Sequence, residues 1–258
     1  MAGHGTHEAL VGGQFGVQAA AYLTSAVHAQ GPDLAALAEI ARAMPRARVL
    51  DMGCGGGHAS YAVAPHVAEV VAYDLSPEML AVVGAAAADK GLGNLSIRQG
   101  RAEHLPFDDG GFDLVVSRLS AHHWQDVAAG LREAARVLAP GGTFCLIDIV
   151  SPGTPLVDTF LQAIELLRDI SHVRDYSRGE WEAMIAAAGL STIATRHNRM
   201  QIGFDAWVAR MSTPPDRVAA IRALQAAMPA EVAAAFGLGP DGSFGLDNML
   251  FQAVKPAA

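Results

Sequence analysis

Cysteine is almost missing from this chain, because Cys54 and Cys145 are the only two among 258 residues. Two cysteines cannot build the disulfide framework of a small secreted domain, so we expect both to be buried thiols. No run approaches the roughly 18 apolar residues of a membrane span. The first residues also lack the basic and then apolar pattern of a signal peptide. These absences favour a cytoplasmic protein with no membrane span.

Basic residues are scarce as well. Lysine and arginine total 18 against 26 acidic residues, which gives a net charge of −8. A nucleic-acid partner would need a cluster of cations to neutralise phosphates. The only dense basic cluster, Arg42, Arg46 and Arg48, flanks a predicted core strand and is typical of a solvated loop. We therefore expect no nucleic-acid partner.

Short apolar runs alternate with helical patterns along the first 150 residues. The runs predict strands at about 48–53, 69–75, 95–100, 113–119 and 142–150, which indicates a parallel sheet with helices on both faces. Further helical patterns follow a breaker cluster at 151–155. Strands at 191–199 and 243–254 are expected to pair as a hairpin. We expect residues 1–13, rich in Gly and His, to be mobile.

The segment 49–57 carries the clearest functional signal. An apolar run ends at Asp51, and glycines recur at 53, 55 and 57. Alternate glycines after a buried strand let a ligand approach the backbone closely. A second apolar strand ends at Asp74, 21 residues after Gly53, where an acid can bind ribose hydroxyls. The pattern predicts an adenosine-containing cofactor.

Nicotinamide cofactors and S-adenosylmethionine (SAM) both use this arrangement, and two details favour SAM. The glycine spacing is G-x-G-x-G, whereas the dinucleotide fingerprint is G-x-G-x-x-G. Asp51 would repel a pyrophosphate but suits the cationic groups of SAM. An NAD(P)-dependent oxidoreductase remains the alternative enzyme.

Five segments together resemble the class I SAM-dependent methyltransferases, most closely the group that resembles ubiquinone/menaquinone C-methyltransferases: Asp51-Met-Gly-Cys-Gly-Gly-Gly57, Ala72-Tyr-Asp-Leu-Ser-Pro-Glu-Met79, Ala102-Glu-His-Leu-Pro-Phe107, Gly111-Phe-Asp-Leu-Val-Val116 and Leu131-Arg-Glu-Ala-Ala-Arg-Val-Leu-Ala-Pro-Gly-Gly142. The resemblance covers about residues 15–150. It implies a doubly wound α/β fold with a mostly parallel seven-stranded sheet and a reversed last strand. It also implies a helical lid at 1–44 and a SAM-binding domain at 45–258, with cap insertions at about 155–175 and 204–240.

The resemblance further implies SAM as cofactor, S-adenosylhomocysteine (SAH) as product and a small molecule as acceptor. The sequence does not indicate which small molecule this is. The implied cofactor-binding residues are Tyr22, Asp51, Gly53, Cys54, Gly55, Gly57, Asp74, Leu75, Met79, Arg101, Ala102, Glu103, Ser117, Arg118 and Leu119. Helix packing is an equal alternative for Tyr22, and core packing for Met79. Many relatives have Asp where this chain has Arg101, so Glu103 or a backbone carbonyl must bind the adenine amino group instead.

His122 and His123 follow the fourth strand and are the candidates for a general base, because imidazole titrates near neutral pH. The alternative is a core histidine with one backbone bond. Adjacent histidines point apart, so we expect no shared metal. His172 and Arg174 are candidate substrate contacts, with an exposed loop as the alternative. A homodimer is allowed. A SAM-binding protein without catalytic activity is a third functional hypothesis.

Overall fold

Seven strands form one sheet in the computed structural model, which describes residues 5–14 and 31–257. They lie in the order β3-β2-β1-β4-β5-β7-β6. Strands β1 to β5 are parallel neighbours, and β7 runs antiparallel to both β5 and β6. The strands are β1 (Arg48–Met52), β2 (Glu69–Asp74), β3 (Leu95–Gln99), β4 (Phe112–Arg118), β5 (Leu138–Ile149), β6 (Ser191–Ile202) and β7 (Phe244–Val254). The predicted sheet, with its reversed last strand, is confirmed.

Helices join the strands, and several begin at side-chain caps that the sequence supplies. The Ser76 hydroxyl accepts a hydrogen bond from Met79 N, and Ser177 and Glu180 form a capping box. The helices are α1 (Pro32–Arg42), α2 (His58–Val63), α3 (Pro77–Asp89), α4 (Val127–Val137), α5 (Pro155–Arg168), α6 (Arg178–Ala187), α7 (Phe204–Arg210), α8 (Pro215–Ala227) and α9 (Ala230–Phe236).

Residues 7–14 are also helical, so the expectation of a mobile segment at 1–13 is wrong for this part. The Thr6 hydroxyl accepts a hydrogen bond from Ala9 N at 3.3 Å, as a capping residue does. The Gln14 amide donates to the carbonyl of Met211 at 3.0 Å, which ties the helix to the remote part of the chain. Gly- and His-rich composition alone did not reveal these contacts.

The parallel strands place several polar side chains at one edge of the sheet. Their cores are covered on both faces, as Val49, Leu50 and Val115 show by being fully buried. Ligands of open α/β sheets bind beyond the carboxyl ends of the strands. Asp74 and Arg118 are the last residues of β2 and β4 at this edge. Asp51 and Asp148 each stand one residue before the end of β1 and of β5.

The helices inserted after β5 and after β6 pack together on the ends of β6 and β7. Their shared core contains Leu161, Ile164, Trp207, Ile221 and Val232. Among the described helices, none is long and apolar enough on its own to cross a membrane, and one pair passes when joined, α8 with α9, which is bent by 115° at its break. The two insertions thus build a separate layer beside the ligand-binding edge.

Candidate functional site

The loop after β1 is fixed to β2 by its own backbone. Gly53 N and Cys54 N both donate to the carbonyl of Tyr73, at 2.8 and 3.0 Å. Gly53, Gly55 and Gly57 have positive φ angles of 73°, 49° and 80°. A Cβ on Gly53 would collide with Ser120, and one on Gly57 with Tyr61, whereas a Cβ on Gly55 would enter open space. The space beside Gly55 is therefore open, although Gly55 lines neither of the two cavities described below.

Asp74 closes this loop from the end of β2. Its Oδ2 accepts a hydrogen bond from Gly55 N at 2.8 Å, and its Oδ1 accepts one from Ser76 N at 2.9 Å. Burial raises the pKa of this carboxyl, while the backbone hydrogen bonds oppose the rise. Each carboxylate oxygen has a second lone pair, so Asp74 can still accept from the two hydroxyls of a ribose.

A cavity beside Asp74, here called the cofactor cleft, contains most of the expected adenosine contacts. Its wall is formed by Gly53, Tyr73, Asp74, Leu75, Gly100, Arg101, Ala102, Glu103, Leu119, Ser120, His123, Trp124 and Gln125, together with His7, Glu8 and Val11 of the N-terminal helix. Glu8 Oε1 lies 2.6 Å from Arg101 Nη1, and His7 Nε2 donates to the carbonyl of His123 at 3.0 Å. The sequence did not predict these three N-terminal residues as part of the site.

The Glu103 carboxylate accepts hydrogen bonds from the backbone on one side of the cleft. Its Oε1 accepts from Gln125 N at 3.0 Å and from Asp126 N at 3.4 Å, and its Oε2 lies 3.9 Å from Arg101 Nε. The Tyr73 hydroxyl donates to the carbonyl of Arg101 at 3.1 Å. The turn that begins at Arg101 is therefore held in place from β2, and Glu103 holds the segment opposite.

Asp51 lies at the end of β1 and is only 1% exposed. Its Oδ2 accepts from Ser60 N at 2.9 Å and from the Ser60 hydroxyl at 2.6 Å. Its Oδ1 is buried and has no hydrogen-bond partner among the described residues. Burial raises its pKa to about 6, with a smaller contribution from the charge of Asp74. An unpartnered carboxylate oxygen fits the cationic amino group of SAM.

A second cavity, here called the cap cavity, adjoins the cofactor cleft and has a volume of about 100 Å³. Leu119 and His123 line both cavities. Leu119 has a φ angle of 51°, a strained value for a residue with a side chain, and such strain is concentrated at functional sites. The remaining wall comprises Asp51, Cys54, Gly56, His58, Ala59, Arg118, His122, Ile149, Glu165, Arg168, Asp169, Asp175, Met200, Ile202, Trp207, Arg210 and Leu246.

His122 is held by a buried acid at the cap cavity. Its Nδ1 donates to Asp148 Oδ1 at 2.6 Å, and its backbone N donates to Asp148 Oδ2 at 3.3 Å. Burial alone would lower the pKa of His122, but the charge and hydrogen bond of Asp148 outweigh burial and raise it to about 9. The imidazole is therefore protonated at neutral pH in the free protein.

His123 and His172 lie beside His122 and remain neutral. Burial lowers the pKa of both, and the charge of His122 lowers it further. His123 Nδ1 donates to the carbonyl of Ser171 at 3.1 Å, and His172 Nε2 donates to Gln162 Oε1 at 3.0 Å. The histidines thus differ in protonation because Asp148 bonds to only one of them.

Arg118 is fixed at the cap cavity by a partner that the sequence did not reveal. Its Nε lies 2.6 Å from Asp33 Oδ2, and the two side chains are only 5% and 7% exposed. Asp33 is in the first turn of α1, so the pair ties this helix to the end of β4. A buried, hydrogen-bonded pair of this kind fixes the guanidinium in one orientation.

The other expected contacts differ in where they lie. Tyr22 is outside the described residues. Met79 and Ser117 are fully buried and line neither cavity. His172 is buried at 7% exposure, so the exposed-loop alternative is wrong for it, but it lines neither cavity and the structure does not place it at the acceptor. Arg174 forms ion pairs with Asp158 at 3.2 Å and with Glu180 at 3.3 Å and lines neither cavity.

One cluster among the described residues has the spacing that a metal ion could use. Single donor atoms of His122, Asp148 and Asp175 all lie within 4.8 Å of one another. His122 and Asp148 of this cluster are already joined by a 2.6 Å hydrogen bond between Nδ1 and Oδ1. An acid–histidine pair accounts for this geometry without a metal ion.

The known proteins to which this chain is similar include methyltransferases. Residues 50–146 match a family model described as a methyltransferase domain. The chain is 47% identical over 205 residues to the uncharacterized protein YafE of Escherichia coli K12, covering 80% of this chain and 99% of that one. It is 40% identical over 203 residues to the uncharacterized methyltransferase YcgJ of Bacillus subtilis, covering 79% of this chain and 80% of that one. The solved structure of YcgJ superposes with a TM-score of 0.84 at 37% identity, over 88% of this chain and 99% of that one.

Proposed function

The chain belongs to the class I SAM-dependent methyltransferases, and we propose on that premise that it methylates a small molecule bound in the cap cavity. The observation that carries the proposal is the junction of the two cavities at Leu119 and His123. On one side lie the glycine loop and Asp74. On the other lies an imidazole held by Asp148.

Residues of the cofactor cleft, together with Gly55 and with Asp51 of the cap cavity, fit SAM group by group. Asp74 would bind the ribose hydroxyls. The open space beside Gly55 would admit the part of the ligand that lies against the backbone of the glycine loop. The unpartnered Oδ1 of Asp51 would accept from the amino group. Leu75 and Ala102 offer apolar contacts to adenine, and the ion pair of Glu8 with Arg101 supplies polar groups where relatives have an aspartate.

When bound, SAM supplies a methyl group on a positively charged sulfur, and in-line displacement forms the new bond to the acceptor while the electron pair of the broken C–S bond stays on sulfur. The protein has to align the acceptor and exclude water. His122 takes the acceptor's proton in its neutral form, and Asp148 fixes the ring so that Nε2 is the atom that receives it. His123, at the junction, closes the wall between the cavities.

The alternatives fit the same geometry less well. The pyrophosphate of NAD(P) would approach the buried carboxyl of Asp51, which repels it. A protein that only bound SAM would have no use for an acid-held histidine beside an open cavity. The position of the cap cavity between the sheet edge and helices of the insertions supports a small molecule as the acceptor.

Methyl transfer can be tested before the acceptor is known. The purified chain is incubated with SAM labelled in its methyl group and a deproteinised extract of small metabolites. We expect label in small molecules other than SAM, and at least tenfold less with His122→Gln. A parallel incubation also contains added protein and RNA, and label confined to these macromolecules would contradict the proposal.

A further inference from the structure

The carboxyl group of Asp175 is a buried acid at the cap cavity. The residue is 1% exposed, and its Oδ2 has no hydrogen-bond partner among the described residues. The ring nitrogen of His172 is 4.0 Å away and already donates to Gln162 Oε1. Asp175 lines the cavity, so a ligand can supply the partner that the described protein does not.

The backbone of Asp175 is held by hydrogen bonds on both sides of the residue. Its backbone N donates to Gln162 Oε1 at 3.1 Å, and its carbonyl accepts from Gln162 Nε2 at 2.8 Å. One side chain of α5 thus fixes both sides of this residue. These two hydrogen bonds hold the backbone of Asp175 in place at the cavity wall.

Two further carboxyl groups around the cavity, those of Glu165 and Asp169, are matched by donors, and the unpartnered Oδ1 of Asp51 is assigned above to the amino group of SAM. Glu165 Oε2 lies 3.2 Å from Arg168 Nη1. Asp169 Oδ1 accepts from the backbone N and the hydroxyl of Ser171, at 2.8 and 2.6 Å. Burial raises the pKa of Asp175 well above its usual range, and the charges of His122 and Arg168 offset that rise only in part. A cationic ligand would offset the rise further.

We propose that the acceptor is an amine, that Asp175 binds it as its ammonium ion, and that its hydrocarbon body packs on the apolar wall formed by Trp207, Ile202 and Leu246. The proposal rests on the proposed function and names the substrate class of the same site. A carboxylate acceptor would be repelled by Asp175, and Arg168 is already bonded to Glu165 and to the carbonyl of Trp207.

The reactive nitrogen then lies beside the proposed base. Single donor atoms of Asp175 and His122 lie within 4.8 Å of each other, so a nitrogen bonded to the first is near the second. Methylation of an ammonium ion replaces an N–H bond with an N–C bond. The proton passes to neutral His122, and the electron pair it leaves forms the N–C bond. The positive charge of an ammonium ion bound beside His122 favours the neutral imidazole, because like charges at close range disfavour the charged form.

A matched series of ligands tests the head group directly. The full chain is saturated with SAH and titrated calorimetrically with n-hexylamine, 1-hexanol and hexanoate, which share one hydrocarbon body. We expect the amine to bind most tightly. Asp175→Asn should weaken the amine at least about 30-fold, because a buried charge loses its partner, while the affinity for SAH stays unchanged. The exposed Asp216→Asn serves as the control.

The outcomes separate this proposal from the proposed function. Equal binding of hexanol and hexylamine, or amine binding that Asp175→Asn leaves intact, would overturn the amine proposal while SAH binding upholds the methyltransferase. Failure of the wild-type chain to bind SAH would instead overturn the proposed function. The head-group series in the wild-type chain decides the question even where the variant does not fold.

Discussion

Asp148 Oδ1 accepts a 2.6 Å hydrogen bond from His122 Nδ1, and this bond joins the ends of two neighbouring parallel strands. His122 follows β4 in a short 3-10 turn, and Asp148 is the penultimate residue of β5. The carbonyl of His122 also accepts from Val173 N at 2.8 Å. The sheet edge and the first cap insertion therefore meet at one imidazole.

The protonation of His122 is the first testable consequence. Its pKa should be about 9 in the free protein. In Asp148→Asn it should fall below 6.5, because burial then acts without the compensating charge. NMR titration of the histidine ring protons measures both values, with His122→Gln assigning the signal. An unchanged pKa in Asp148→Asn would show that Asp148 does not control this ring.

The same pair should make stability depend on pH. The pKa is raised on folding, from about 6.5 to about 9, so the stabilisation is fully present below pH 6.5 and is lost as pH rises through 9. The difference corresponds to about 3 kcal/mol. Urea unfolding of wild type and His122→Gln at pH 6 and pH 9.5 gives the difference, and equal gaps at both pH values would contradict the assignment.

The glycine loop gives a matched pair of substitutions. Gly55→Ala should cost about 1–2 kcal/mol of stability for its positive φ angle, and should weaken SAH binding more than tenfold because the methyl group enters the ligand's space. Gly53→Ala should destabilise the fold further, since its methyl group collides with Ser120. Calorimetry and urea unfolding separate the two effects. Tight SAH binding by Gly55→Ala would mean that the open space is not used by the ligand.

SAH binding should strengthen as Asp51 ionises. The pKa of Asp51 is about 6 in the free protein because of burial, and the cationic amino group of the ligand favours the ionised form. The dissociation constant should therefore fall between pH 5 and pH 7. Asp51→Asn should bind SAH weakly with a flat pH profile over this range. A pH dependence that persisted in the variant would assign the titration to another group.

Glu8 should matter for release of the ligand rather than for stability. Its ion pair with Arg101 is 39% and 44% exposed on the two sides, and pairs of this kind contribute about 0–1 kcal/mol. Glu8→Ala should hardly change unfolding but should release SAH several-fold faster, because its helix forms one wall of the cofactor cleft. The comparably exposed pair of Glu39 with Arg196 provides the control Glu39→Ala. Unchanged release would place the helix outside the binding step.

The sequence predicted the strands and the glycine loop because both depend on local patterns. Apolar runs and glycine spacing indicate buried strands and tight turns wherever they occur. The partners of the histidines were not predicted. Asp148 stands in an apolar strand 26 residues after His122, and only the register of β4 with β5 brings them together. An acid inside an otherwise apolar run is the signal that was overlooked.

The helical insertions around the cap cavity were also only partly predictable from the sequence. Its helices were predicted from periodicity, but which side chains face the cavity depends on how the insertions dock. Arg174 was expected at the substrate and instead pairs with Asp158 and Glu180. Asp175, its neighbour in sequence, lines the cavity. One step along an irregular segment reverses the direction of a side chain, and no periodic pattern reports it.

The most direct test of the central claim is calorimetric titration of the purified chain with SAH, SAM, NAD and NADP, beside Asp74→Ala. We predict that SAH and SAM bind, that NAD and NADP do not, and that Asp74→Ala loses at least about 30-fold in affinity for both sulfur nucleosides, because each charge-assisted hydrogen bond to ribose contributes about 1.5–3 kcal/mol. Binding of NAD or NADP alone would contradict the assignment of the cofactor cleft to SAM.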